Sequence, residues 1–329
     1  MLRLPGGLVN AHDHLEFALF PRLGEGPYPN AKAWADAVYR PDQSPVREHL
    51  RVPKRDRLWW GALRNLLSGV TTVHHHNPDE PEIFDDDFPV RVVRNLPWAH
   101  SPDFSPDLAE TFRRSDPQQP FILHAGEGTD ARSAREIRRL RDAGLIVERT
   151  VLVHAVAVED VSPASVIWCP SSNLFTLGRT RKTLPPRCAL AADSSLTAQG
   201  DLLDELAVAE TVAATVEPDR SRLLDLVTRS ARVVLGLPDP PDDDFTLFRD
   251  RGLPIADALF DSPRGDLQQV VVRGRLQLTA DAAPVPGLEP ILYGDRRYQV
   301  RAPVGDLLAR AQAVLGPEIR LGHKLVRAG

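Results

Sequence analysis

Residues 120–128 read "PFILHAGEG", and residues 130–144 read "DARSAREIRRLRDAG". The first piece is a short apolar run that ends in His124 and Glu127, which predicts a buried strand with polar groups at its C-terminal end. The second carries Ala134, Ile137 and Leu140 at helical spacing and stops at a glycine, which predicts a helix. The same plan recurs in "GVTTVHHHN" (69–77), "PVRVVRNLPWAHS" (89–101), "RTVLVHAVAV" (149–158), "ASVIWCPSSN" (164–173) and "CALAADSS" (188–195). A further amphipathic helix is predicted over "GDLLDELAVAETVAATV" (200–216). Near-continuous apolar strands alternating with helices indicate parallel strands buried on both faces. No Gly-x-Gly-x-x-Gly follows a strand and no Walker motif occurs, which argues against a nucleotide-binding doubly wound sheet. Polar residues at the ends of many strands suit a (β/α)8 TIM-type barrel, where those ends meet at one mouth. Between Val73 and Phe121 only residues 89–101 look like a strand, although closure needs two. "TFRRSDPQQ" (111–119) reads as helix or loop, so the barrel is expected to be distorted around its fourth strand.

The composition fits a globular chain: 329 residues, 42% hydrophobic, 26% charged, net charge −5. An acidic balance offers no general attraction for nucleic acid or anionic membranes. Two cysteines, Cys169 and Cys188, are too few for a disulfide scaffold and suit a reducing cytoplasm. The start lacks the apolar stretch of a signal peptide, and no run is long enough to span a bilayer. The expected partner is a small-molecule substrate, and a homo-oligomer is left open. Proline- and aspartate-rich stretches at 77–120 and 236–264 read as connecting segments. The acidic runs 85–87 and 242–244 read as solvated. Residues 1–237 are expected to form the barrel. Residues 238–329 are expected to add a hairpin at 267–280, turning at Arg273-Gly274, and a terminal helix at 305–316.

Chemistry concentrates in the polar strand ends. "VNAHDHLEF" (9–17) places His12 and His14 on one face of a strand and Asp13 on the other. His124, His154 and Asp193 stand on or beyond three later strands. Imidazoles and a carboxylate hold Zn²⁺, and a catalytic site leaves a position for water, so three histidines and one aspartate from this set could form a metal site. Read singly, His154 could be a hydrogen-bonded core histidine, Asp193 a helix N-cap, and Glu127 a helix-start carboxylate. Of His74-His75-His76, the first and third share a face.

Taken together, His12-Asp13-His14, "GVTTV", His124-Ala125-Gly126-Glu127, "VLVHA", "CPSSN" and "ALAADSS" resemble the amidohydrolase superfamily in kind and order, over residues 5–235. The branch they resemble is the mononuclear deaminase and chlorohydrolase group, which includes cytosine, guanine and aminotriazine-type enzymes. The resemblance implies His12, His14, His124 and Asp193 as metal ligands, with Asp193 also taking a proton from the attacking water. It implies Glu127 as the proton shuttle and His154 as the group that hydrogen-bonds the water or the tetrahedral intermediate. His76, Trp98, His100, Asn173 and Phe175 are candidates for contact with substrate. The implied cofactor is one divalent ion, Zn²⁺ or alternatively Fe²⁺. Between Val73 and His124 there is no lysine or cysteine to bridge a second ion.

The chain departs from the family in two places. The N-terminal half of the relatives' small β-sandwich is expected to be missing, so that the chain begins at the first barrel strand. The usual Gly-Thr before the last aspartate is Ala191-Ala192. The expected function is hydrolysis of a C–N bond, deaminating an N-heterocycle. Amide, lactam or halide hydrolysis at the same site, or a non-catalytic metal-binding barrel, are the alternatives.

Overall fold

The computed structural model describes residues 1–213, 219–261 and 263–329. After β1 (Leu2–Pro5) the chain lays down two parallel arcs. One arc is β2 (Leu8–Asp13), β3 (Val70–His75) and β4 (Arg91–Val92). The other is β5 (Trp98–Ala99), β6 (Phe121–Ala125), β7 (Thr150–His154), β8 (Ser165–Trp168) and β9 (Cys188–Leu190). Strands β2, β3, β6 and β7 are buried at every residue, which is why their sequences run apolar instead of alternating.

Both seams between the arcs are informative. Beyond β9, the Asp193 N–H donates to the His12 carbonyl at 3.1 Å, and the Ala192 N–H donates to Asn10 Oδ1 at 3.0 Å. Between β4 and β5 no ladder forms. There Asn95 sits at φ 60° and Pro97 has no N–H to donate. The single run 89–101 therefore supplies two strands of two residues each, one at the edge of each arc. The helix Leu108–Arg114 accounts for the first part of the ambiguous stretch that follows.

Connecting helices form where the pattern places them. Asp130 caps the helix Ala131–Asp142 by accepting the Ser133 N–H at 2.9 Å, and Ile137 and Leu140 are buried beneath it. The helix Leu202–Ala213 covers most of the next predicted segment, and residues 214–216 of that prediction lie outside the described residues. Val9, Ala11, Ile122, Val151, Val153, Ile167, Ala189 and Ala191 fill the space between the arcs. This apolar plug leaves the polar strand ends at one end only.

The C-terminal part exceeds the single hairpin expected. Strands β10 (Phe245–Phe248), β11 (Leu267–Val272), β12 (Arg275–Thr279), β13 (Glu289–Tyr293), β14 (Arg296–Val300), β15 (Ile319–Leu321) and β16 (Lys324–Ala328) form an antiparallel sheet that also includes β1. The β11–β12 hairpin does turn at Arg273-Gly274, both at positive φ (54° and 67°), as a two-residue turn requires. Two expectations are corrected. The chain does not begin at the first strand of the arcs, because Leu2–Pro5 pairs with β10 and belongs to this sheet. The helix Val304–Leu315 is not terminal, because β15 and β16 follow it. Apart from the β11–β12 hairpin, these strands are short and their partners are fixed by packing and not by their own pattern. Asp244, read as solvated, is instead buried, accepting from the Arg91 guanidinium and from the Arg273 N–H at 2.6 Å. It joins the first arc to the sheet. No described helix is long and apolar enough to cross a membrane.

Candidate metal centre

His12 lies near the end of β2 and His14 one residue beyond it, and alternation turns both rings the same way. His124 comes from β6 and Asp193 from the turn after β9. One ligand atom from each of these four buried side chains lies within 4.8 Å of all the others. His12 Nε2 is 3.1 Å from His124 Nε2 and 3.3 Å from Asp193 Oδ1, and His14 Nε2 is 3.7 Å from the same oxygen.

Partners outside the cluster fix which ring nitrogen faces inward. His124 Nδ1–H donates to the His100 carbonyl at 2.7 Å, and His14 Nδ1–H donates to Asn77 Oδ1 at 3.1 Å. Their Nε2 lone pairs therefore point at one another's neighbourhood, with no proton between them. Burial lowers the His12 pKa to about 4, against the hydrogen bond that His12 donates to Asp193, and holds His124 well below its ordinary value. Burial pushes the Asp193 carboxyl up, but the hydrogen bond to His12 and the neighbouring imidazoles outweigh it and keep the group ionised. Neutral imidazoles and a carboxylate converging on one point are the donor set a Zn²⁺ or Fe²⁺ ion accepts, so the residues fit the implied ion.

Two backbone strains hold this geometry. His154 and Asp193 adopt φ values of 68° and 58°, a region that non-glycine residues seldom enter. Asp193 is held there from both sides: its N–H donates to the His12 carbonyl, and its own carbonyl accepts from Arg64 at 2.8 Å. Arg64 is 1% exposed and also pairs with Asp13 at 2.7 Å. Asn10 and Asn65 complete the Asp13 carboxylate at 2.9 and 2.8 Å. The middle residue of the His-Asp-His motif thus points away from the centre and, through Arg64, braces Asp193.

Beside the four ligand candidates stand the two other groups picked out from the sequence. His154 Nε2 is 3.8 Å from Asp193 Oδ2 and 3.6 Å from Glu127 Oε2, and its Nδ1 donates to Asn173 Oδ1 at 2.8 Å. Asn173 in turn donates to Thr180 at 3.1 Å, so it orients His154 from within the protein. Burial, helped by Asp193 and Glu136 and opposed by His154, raises Glu127 to about 7, which lets it hold a proton near neutrality.

A cavity of about 460 Å³ opens beside His124 and Glu127, lined also by His100, Phe104, Arg132 and Glu136. Of the substrate-contact candidates, His100 lines it. His76 does not: it is fully buried behind the cluster, with its ring 4.6 Å from that of His124 and 4.9 Å from that of Trp98. Phe175 lies apart from this cavity, under the Arg22 guanidinium. His75 takes the opposite face of β3, as alternation requires, and accepts the Leu15 N–H at 3.3 Å. Sequence reasoning passed over Arg64, Asn77 and Glu136. Glu136 accepts the Gly126 N–H at 2.5 Å and so shapes the turn that carries Glu127. Nothing in the local pattern distinguishes these residues from ordinary helix or loop positions.

No family model matches the chain, and no curated protein matches it. Solved structures do share its fold. A zinc-bound adenosine deaminase from Xanthomonas campestris aligns at 16% identity over 94% of this chain and 84% of that one, with a TM-score of 0.63. Atrazine chlorohydrolase from Arthrobacter aurescens TC1, complexed with zinc, aligns at 18% identity over 95% and 88%, with a TM-score of 0.67. An N-isopropylammelide isopropylaminohydrolase from Burkholderia multivorans aligns at 16% identity over 84% and 86%, with a TM-score of 0.51. At these identities the likeness is one of fold.

Proposed function

We propose that the chain is a metal-dependent hydrolase of C–N bonds in the amidohydrolase superfamily, deaminating an N-heterocyclic substrate. In this reading the two parallel arcs are a (β/α)8 barrel left open beside its fourth strand, and residues 238–329 are an appended unit to which β1 crosses over. One observation carries the proposal: four ligand-type side chains, with Glu127 and His154 beside them, come from the ends of four strands and meet at a single point. The fold shared with zinc-bound hydrolases supports it.

His12, His14, His124 and Asp193 would hold one divalent ion, Zn²⁺ or alternatively Fe²⁺. When bound, such an ion supplies a water nucleophile at neutral pH. The remaining chemistry belongs to the chain. Asp193 Oδ2, turned toward His154, accepts the proton released by the attacking water. In its doubly protonated form, with Nδ1–H given to Asn173, His154 donates from Nε2 to the oxygen that develops negative charge. Glu127, protonated near neutrality and bordering the cavity, gives its proton to the ring nitrogen or to the leaving amine. Water and the amine-bearing carbon are converted to a carbonyl or hydroxyl product and ammonia. Cys169 and Cys188 are free and buried, which suits the cytoplasm as the site of action.

Ammonia release across aminated purines, pyrimidines, triazines and pterins tests the reading, with halide release from chlorinated triazines as the comparison arm. The expected result is turnover of at least one aminated heterocycle by protein holding one metal equivalent. Metal-loaded protein inert across the whole panel would overturn the deaminase assignment.

A further inference from the structure

The proposed reaction makes no use of the His74-His75-His76 triple, yet two of its members sit against a metal ligand. For two of the three candidate histidine ligands, the nitrogen facing away from the centre has an acceptor: the His100 carbonyl for His124, and Asn77 for His14. Such outer partners fix the tautomer and the ring orientation of a ligand. His12 is the exception. Its Nδ1 is buried and has no hydrogen-bond partner, and the same is true of His74 Nδ1 and His76 Nδ1.

These three rings are neighbours. One nitrogen from each lies within 4.8 Å of the other two, and the centroids are 4.9 Å (His12–His76), 5.6 Å (His74–His76) and 6.5 Å (His12–His74) apart. His76 Nε2–H donates to the Ala99 carbonyl at 3.1 Å, which leaves a lone pair on its Nδ1. A ligating His12 uses the lone pair of Nε2, so its Nδ1 carries the hydrogen. A donor on His12 therefore stands beside an acceptor on His76 with no hydrogen bond between them.

We infer that His74 and His76 are positioning residues that fix His12 through one shared buried water. The water accepts from His12 Nδ1–H and donates one hydrogen to each of the other two Nδ1 atoms. All three partnerless nitrogens are then satisfied with no atom left over. Two groups bonded to one water at about 2.9 Å lie about 4.7 Å apart at a tetrahedral angle. A shared cation would need a lone pair on all three nitrogens, which a His12 that ligates through Nε2 and keeps its hydrogen on Nδ1 does not offer, and it gains no carboxylate from this trio. The inference rests on the metal-centre reading above.

The direct test needs no substitution. In zinc-loaded protein labelled with ¹⁵N-histidine, two-bond ¹H–¹⁵N spectra are expected to show His12 protonated at Nδ1 and His76 at Nε2. His12 lacking a proton on Nδ1, or two cations bound per chain, would overturn the inference. In zinc competition with a chromophoric chelator, His74→Phe and His76→Phe are expected to weaken affinity about 10–100-fold. The melting temperature of the metal-free protein should stay near the wild-type value, and His76→Gln should restore part of the affinity. Wild-type affinity in both Phe variants would also overturn the inference. If those variants keep wild-type affinity while Asp193→Ala abolishes zinc binding, only the positioning role fails. If Asp193→Ala leaves affinity unchanged, the metal-centre reading fails instead.

Discussion

Removing Arg64 tests whether the residue between the two motif histidines is a brace. The guanidinium is 1% exposed and donates to Asp13, to the Asp193 carbonyl and to the Ser195 hydroxyl. Arg64→Met keeps much of the volume but strips a buried carboxylate of the cation it pairs with, leaving Asn10 and Asn65 as its donors. Breaking a buried ion pair from one side costs about 3–5 kcal/mol, a large share of the roughly 5–15 kcal/mol that holds a domain folded. Asp13→Asn, which leaves the guanidinium unpaired, should cost a similar amount. The double variant removes both charges and should recover much of the loss, with a coupling of at least about 2 kcal/mol. Urea unfolding of the metal-free proteins at neutral pH measures all three. Zinc affinity provides a second readout, because the Asp193 backbone at φ 58° loses one of its two restraints in either Arg64 variant. A cost below about 1 kcal/mol for Arg64→Met, or strictly additive effects, would refute the brace.

Other outcomes are equally checkable. Glu127→Gln should keep the fold and its zinc while turnover falls by about 10²–10⁴-fold, as measured by ammonia release and metal analysis. His12→Ala and Asp193→Ala should each lose the metal, read by elemental analysis after gel filtration. Glu205 is buried against Ser171 and its pKa is raised by burial to about 8. Because the folded state holds this proton more tightly than an ordinary carboxyl, the contribution is complete below about pH 4.5 and is lost as pH rises toward 8. Relative to Glu205→Gln, wild-type stability should therefore fall by about 1 kcal/mol per pH unit across that window, and parallel profiles would contradict it. Gly61→Ala should destabilise the protein despite the better helix propensity of alanine, since its Cβ would come within 2.4 Å of the Leu15 carbonyl oxygen. Thermal melting checks the sign.

The sequence by itself determined the parallel α/β plan, because a strand buried on both faces must be apolar throughout and a helix must repeat every three to four residues. That physics is local, and it holds in Phe121–Ala125, Thr150–His154 and Ala131–Asp142. His12, His14, His124, Glu127, His154 and Asp193 were legible for the same reason: each stands at or just past the end of such a run, and parallel strands bring those ends together. Tertiary structure alone decided the rest. Two-residue strands such as Trp98–Ala99 carry no period to read, and Leu2–Pro5 is a strand only because β10 lies beside it. Arg64 and Asn65 reach Asp13 across more than fifty residues, and His76 turns behind the centre instead of into the cavity. A residue's type announces what it can donate or bind. Which atom it meets depends on chain segments that approach only when the whole core has packed.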